Sequence, residues 1–127
     1  MKLFGLILGW ICALLVAALN VFAGISKFLP VAPDSPQAVM MQSMGITPSI
    51  AYVLGTIELV TVVLLLIPRT STIGFVIMVG YLGGVTATLI THSQDATVGY
   101  IALALLTVSA YVRNPELLSR LKGKVVA

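Results

Sequence analysis

The sequence predicts an all-α integral membrane protein: a four-helix transmembrane bundle with both termini in the cytoplasm and a short interfacial helix in the first outer loop. Three observations carry that prediction. The chain is 59% hydrophobic and only 9% charged, whereas soluble domains carry roughly 25% charged residues, so a water-soluble fold would leave a large apolar surface bare. Its apolar residues gather in four runs, at about 3–27, 50–67, 72–90 and 97–113, close to the ~20 helical residues that cross a bilayer. Basic residues cluster at one set of run ends: Lys2, Arg69, Arg113, Arg120, Lys122 and Lys124, against Asp34 and Asp95 in the other two loops, with Lys27 at the outer tip of the first run. An even number of spans puts both termini on one side, and the positive-inside rule makes that side the cytoplasm of a cell inner membrane.

The first run opens Met1-Lys2 and resembles a signal peptide. It continues for about 20 apolar residues without a clean small-residue cleavage site, so it is read as a retained helix. Next, Asp34-Ser35-Pro36 reads as an N-cap followed by proline in a first helical turn. The segment 37–44 then offers Val39, Met40 and Met44 to the bilayer surface or to the bundle mouth, and Gly45 stops it. Pro48 starts the second span, and Pro68 ends it beside Arg69 in a tight turn, both places where helices tolerate proline. The third span ends at about residue 90, with His92 at its outer end. The fourth is short and is extended through Arg113, whose long stem can reach the headgroups. From Asn114-Pro115 a basic tail, 114–127, suits an amphipathic helix on anionic lipid. The whole chain, 1–127, is one domain by length. The runs lack the alternation of barrel strands.

With little hydrophobic force between helices in lipid, small residues mark close packing. Gly5, Gly9, Ala13 and Ala17 recur every fourth position, and the same face continues through Asn20, Gly24 and Lys27. Ala51, Gly55 and Glu58 form the corresponding stripe of the second span. Gly80, Gly83 and Gly84, with Ala87, Thr88 and Thr91, suggest the packing face of the third, and Tyr100, Ala104, Thr107 and Tyr111 that of the fourth.

Glu58 is the residue most in need of explanation, because a carboxylate at bilayer depth is costly unless paired or wetted. Depth places Asn20, Lys27, Glu58, Tyr81, Thr86, His92 and Tyr100 in the outer half of the bundle, as candidates for one cavity opening outward. Glu58 has two readings: a packing contact to Asn20 or Lys27, or a poised group in a pocket. His92 has a plain reading as an interfacial loop residue, Lys27 as an anchor and Asn20 as an interhelical donor.

Other chemistry finds little support. Cys12, alone in the first span, has no partner for a disulfide or a CxxC pair and reads as a small apolar residue. One histidine cannot supply two haem ligands, no cluster matches a metal site, and the glycines at 80, 83 and 84 lie inside a helix pattern rather than after a strand. Basic runs interleaved with aromatics are missing, which sets nucleic acid aside. Redox chemistry would therefore need a bound quinone or a partner carrying the cofactor, and no catalytic residue is assigned.

Several motifs in order resemble those of the DoxX-like membrane proteins. Phe22-Ala23-Gly24-Ile25-Ser26-Lys27-Phe28 resembles that family's F-x-G-x-x-K-F/L signature. Met44-Gly45-Ile46-Thr47-Pro48 fits its G-x-P element, and Gly55-Thr56-Ile57-Glu58-Leu59 its G-x-x-E-L motif. The stretch from Tyr81-Leu82-Gly83-Gly84 to His92 is similar to its helix-3 pattern. The resemblance implies a four-helix membrane protein. Relatives include small subunits of a terminal quinol oxidase and of thiosulfate:quinone oxidoreductase, members of oxidative-stress complexes, and receptor-assembly factors.

The expectation is a non-catalytic subunit or accessory of a membrane redox or stress-response complex, not an enzyme on its own. It would have no intrinsic cofactor, a quinone-like or lipidic ligand near Glu58, and further membrane subunits or second copies as partners within the bilayer. Two rival readings stand beside it: a carrier or proton-coupled binding protein using Glu58 and Lys27, and a quinone-linked oxidoreductase subunit.

Overall fold

The computed structural model describes residues 2–124, so Met1 and the last three residues of the basic tail lie outside the described residues. Six helices follow one another: α1 Lys2–Ser26, α2 Pro36–Ser43, α3 Pro48–Leu66, α4 Ser71–Thr91, α5 Thr97–Arg113 and α6 Pro115–Leu121. The four apolar runs become α1, α3, α4 and α5, each end within two residues of its expected place. Three of them, α1, α3 and α4, are long and apolar enough to cross a membrane. The 17 residues of α5 span about 26 Å at 1.5 Å per residue, slightly under the hydrocarbon thickness.

Local chemistry explains the helix starts. Ser35 Oγ accepts the amide hydrogen of Ala38, Thr47 Oγ1 accepts that of Ile50, and Pro36 and Pro48 occupy first-turn positions where no amide hydrogen is needed. Gly45, at φ +69°, ends the α2 segment in the left-handed region that glycine adopts freely. Between α4 and α5, the Asp95 carboxylate accepts the Thr97 hydroxyl at 2.6 Å and the Thr97 amide at 2.9 Å.

Those two bonds, hydroxyl first, hold the Asp95 carboxyl below its ordinary range. A depressed folded value means the contribution is complete above the unfolded value, about pH 4, and is lost as pH falls through the folded value. Asp95→Asn should therefore flatten the acid limb of a thermal-midpoint profile by lowering the neutral midpoint toward its acid value. An unaltered acid limb would count against the bond.

The helices pack in a ring: α1 against α3 and α5, α3 against α4, and α4 against α5. Gly9 of α1 faces Val112 and Arg113 of α5, which brings the start of α1 and the end of α5 to one end of the bundle, the termini end. That termini end is closely laced. Arg113 donates to Leu65 O at 3.1 Å and lies over the Trp10 ring at 4.0 Å, so it is packed into the bundle end instead of stretching toward headgroups. Ser71 Oγ lies 3.1 Å from Asn114 Oδ1, tying the start of α4 to the end of α5. Beyond it α6 carries one exposed Glu116–Arg120 pair.

The apolar core of Val16, Ala17, Val62, Leu65, Met78, Leu82, Ala102 and Leu106 lies between the four helices. Around the ring, Leu3, Phe4, Ile7, Leu14, Val63, Ile73 and Val76 are exposed, the apolar belt that a bilayer covers.

The small-residue stripes of α1 and α3 are contact faces. A Cβ on Gly55 would lie 2.8 Å from Gly24 O, and one on Gly24 3.1 Å from the Leu59 side chain. Ala13 and Ala17 are buried, and Gly5 meets Val112. The expectations for the other two spans are corrected. Gly80, Gly83 and Gly84 contact nothing a Cβ would disturb within 4 Å; the face that packs α4 is Ser71, Gly74, Met78, Leu82 and Thr86. On α5 the buried face is Gly99, Ala102, Leu106, Ser109 and Ala110, while Tyr100 and Ala104 are exposed.

Candidate functional site

The polar residues of the far half converge where the core gives way to a cavity. Glu58 lies ten residues into α3, about 15 Å from its far end, and is 4% exposed. Lys27 sits one residue beyond α1 and folds back inward: its ammonium donates to Glu58 Oε2 at 2.7 Å and to Ala23 O at 3.2 Å. The lysine side chain is 21% exposed and the glutamate side chain 5%, so the carboxylate is the member committed to the interior. The close approach of Gly24 to Gly55 sets α1 and α3 near enough for this pair, and Phe28 stacks on Tyr52 at 5.6 Å just beyond it.

Hydrogen-bond bookkeeping within the site is incomplete in a consistent way. Glu58 Oε1 accepts from no described residue. Asn20, 3% exposed, donates through Nδ2 to Val16 O at 2.9 Å, while its Oδ1 has no described donor. The Tyr81 hydroxyl is fully occluded, lies beside the Glu58 carboxylate, and has no described hydrogen-bond partner. Native interiors leave few such groups unmet. Three polar groups without partners around one buried ion pair suit a ligand that brings its own donors and acceptors.

These residues line a cavity of about 640 Å³, within the ~300–1,000 Å³ usual for small-molecule sites. Its walls are mostly apolar: Leu19 and Ala23 of α1, Ile50 and Leu54 of α3, Leu82 and Val85 of α4. Helix α2 forms the roof through Gln37, Met40 and Met41, joined by Met44 just past its end, while Val39 points away and is exposed. So α2 faces the bundle mouth.

Of the seven residues assigned to one cavity by depth, Asn20, Lys27, Glu58 and Tyr81 line it and three do not. Thr86 is buried against Gly99, its hydroxyl without a described partner. His92 caps α4 from the surface, its Nδ1 2.8 Å from Thr88 O. Tyr100 is 56% exposed on the outside of α5. Equal depth does not imply a shared direction, since the helical turn sends Tyr100 away from Gly99 by about 100°. Sequence reasoning also missed Gly80, Gly84 and Thr88 as wall residues. No sequence signal separated a glycine that opens a wall from one that admits a neighbouring helix.

No curated protein and no solved structure matches this chain. The model of the DoxX-like family matches residues 11–112, a span that takes in the greater part of all four bundle helices, the α2 roof and the Lys27–Glu58 pair, and the chain belongs to that family.

Proposed function

We propose that this chain is a membrane-embedded binding protein. It holds the polar head of an amphipathic molecule, quinone-like or lipidic, at the Lys27–Glu58 pair, and serves a membrane redox or stress-response complex as a non-catalytic subunit. One observation carries the binding reading: a nearly inaccessible carboxylate on the wall of a mostly apolar cavity has one oxygen on Lys27, no other described donor within hydrogen-bond geometry, and the occluded Tyr81 hydroxyl beside it. Intramembrane acids of this kind are functional candidates by default. Family membership, with the subunit roles that the motif resemblance implies, supports the accessory half of the proposal. The charge distribution supports placing the far end outward. Solid packing of the termini half, where Leu65, Met78 and Leu106 are at most 1% exposed, favours holding a ligand over carrying it across.

The test is to extract the protein gently, wash it in detergent, and identify retained compounds and proteins by mass spectrometry. Wild type should retain an amphipathic compound near stoichiometry together with membrane partners. Loss of a hydrogen bond to a charged group costs about 1.5–3 kcal/mol, so Glu58→Gln should lower the retained compound by about tenfold or more. Equal retention in both proteins would refute the site, and a clean monomer or homo-oligomer would refute the subunit role.

A further inference from the structure

We propose that the ligand reaches the Lys27–Glu58 cavity sideways, out of the bilayer, through a gap between α3 and α4 whose sill is formed by Gly80 and Gly84. The inference rests on the binding reading above and adds the route and the kind of molecule that can take it.

The directions of α4 are set by its contacts. Gly74 turns to α3, where a Cβ would fall 2.8 Å from Leu65 Cα. Phe75 and Thr86 turn to α5, the first edge-on to Tyr111 and the second against Gly99. At about 100° per residue, Tyr81 falls about 20°, Gly84 about 80° and Gly80 about 120° from Gly74, turning from the α3 seam toward the outer face of α4 and away from α5. On that flank the seam is shut at Gly74 and open farther out. Gly80 and Gly84 are exposed, yet both belong to the cavity wall, and a Cβ on either would meet no atom within 4 Å. The facing wall on α3 is Ile50, Leu54 and Glu58. Exposed wall residues also occur at Leu19 of α1, Val98 of α5 and Gln37 and Gly45 at the roof. But Ile50, Gly80 and Gly84 border one gap, between α3 and α4, whose outside lies among the apolar helix faces that contact lipid.

Two further observations give the gap a purpose. Inside, the occluded Tyr81 hydroxyl without a described partner and the Lys27 ammonium are the donors from which a quinone's carbonyl oxygens would accept. They stand beside the Glu58 and Asn20 side chains, each at least nine-tenths buried on the cavity wall. The aqueous end is roofed by the methionines of α2. A polar-headed molecule already dissolved in the acyl layer meets the sill at the depth of Glu58, without crossing the interface. Glycine at 80 and 84 then acts as a size filter: any side chain there narrows the gap without touching the core.

The experiment follows loading of one probe, decylubiquinone, into the protein in phosphatidylcholine vesicles. A Trp10→Phe/Leu89→Trp protein places a sole tryptophan on the cavity wall, where the quinone ring quenches it on contact. Adding Gly80→Leu and Gly84→Leu should slow quenching by about tenfold or more, since obstructing a route lowers the association rate. Gly83→Leu, on α4 but off the cavity wall, should load at the parental rate. The three leucine changes replace glycine by a better helix former in open space, so they retain the fold of the Trp10→Phe/Leu89→Trp parent, and circular dichroism checks parent and variants alike. Unchanged loading in the Gly80→Leu/Gly84→Leu protein would overturn the route and leave the site standing. No quenching in the parent would overturn the binding reading, and the route with it.

Discussion

Lys27→Met should destabilise the bundle by about 3–5 kcal/mol, the cost of leaving one member of a buried ion pair unpartnered, and Glu58→Gln should cost distinctly less. The asymmetry follows from position. Glu58 is held midway along α3 with a 5% exposed side chain, and its short stem cannot carry the carboxylate to the surface once its cation is removed. Lys27 follows the last residue of α1, is 21% exposed, and has a flexible stem able to swing its ammonium back toward the headgroups. Replacing both by apolar residues, Lys27→Met with Glu58→Leu, should recover much of the loss, since an apolar pair of similar volume often equals a buried ion pair. Unfolding titrations of the four proteins, read as a double-mutant cycle, give the coupling directly. Single variants that each lie within about 0.5 kcal/mol of wild type would class the pair as a surface contact.

The second large effect concerns glycines that resemble one another in sequence and differ in place. Gly74→Ala should cost about 1–3 kcal/mol, the usual penalty for overpacking. Its Cβ would intrude on the backbone of Leu64 and Leu65, which rotamer changes cannot relieve. Gly55→Ala should behave likewise, with Gly24 O and the Phe28 ring both 2.8 Å away. Gly80→Ala and Gly84→Ala meet nothing within 4 Å and should be neutral or stabilising by about 0.5–1 kcal/mol, through lost unfolded-state freedom. Thermal midpoints of the four variants order them, and equal midpoints would contradict the packing described for α3 and α4.

This contrast shows which part of the molecule was legible in the sequence. Span number and ends were readable because prolines, caps and charge-free length act locally: Pro48, Thr47 and Gly45 set their own turns whatever surrounds them. The contact faces of α1 and α3 were readable because Asn20, Lys27 and Glu58 mark the side that must avoid lipid. On α4 and α5 the inward residues include Met78, Leu82 and Leu106, which are as suited to acyl chains as to a core. Hydropathy carries little rotational phase when both surroundings are apolar. The glycines at 80, 83 and 84 therefore passed for a packing stripe, and Tyr100 and His92 joined the cavity set on depth alone. The α2 roof was half legible, its helix visible in Ser35, Pro36 and Gly45, its direction left open between membrane surface and bundle mouth.

The central claim is that a carboxylate buried in the far half of the bundle is held by Lys27 beside a cavity. Among the described residues Lys27 and Glu58 are the lysine–glutamate pair in contact, so the measurement needs no site-specific label. Protein carrying 15N-lysine and 13C-glutamate, reconstituted in bilayers, is examined by solid-state dipolar recoupling between Nζ and the side-chain carboxyl carbon. The account predicts one strong coupling of direct-contact strength, abolished by Lys27→Met. Absence of any such coupling in the wild-type protein would contradict it.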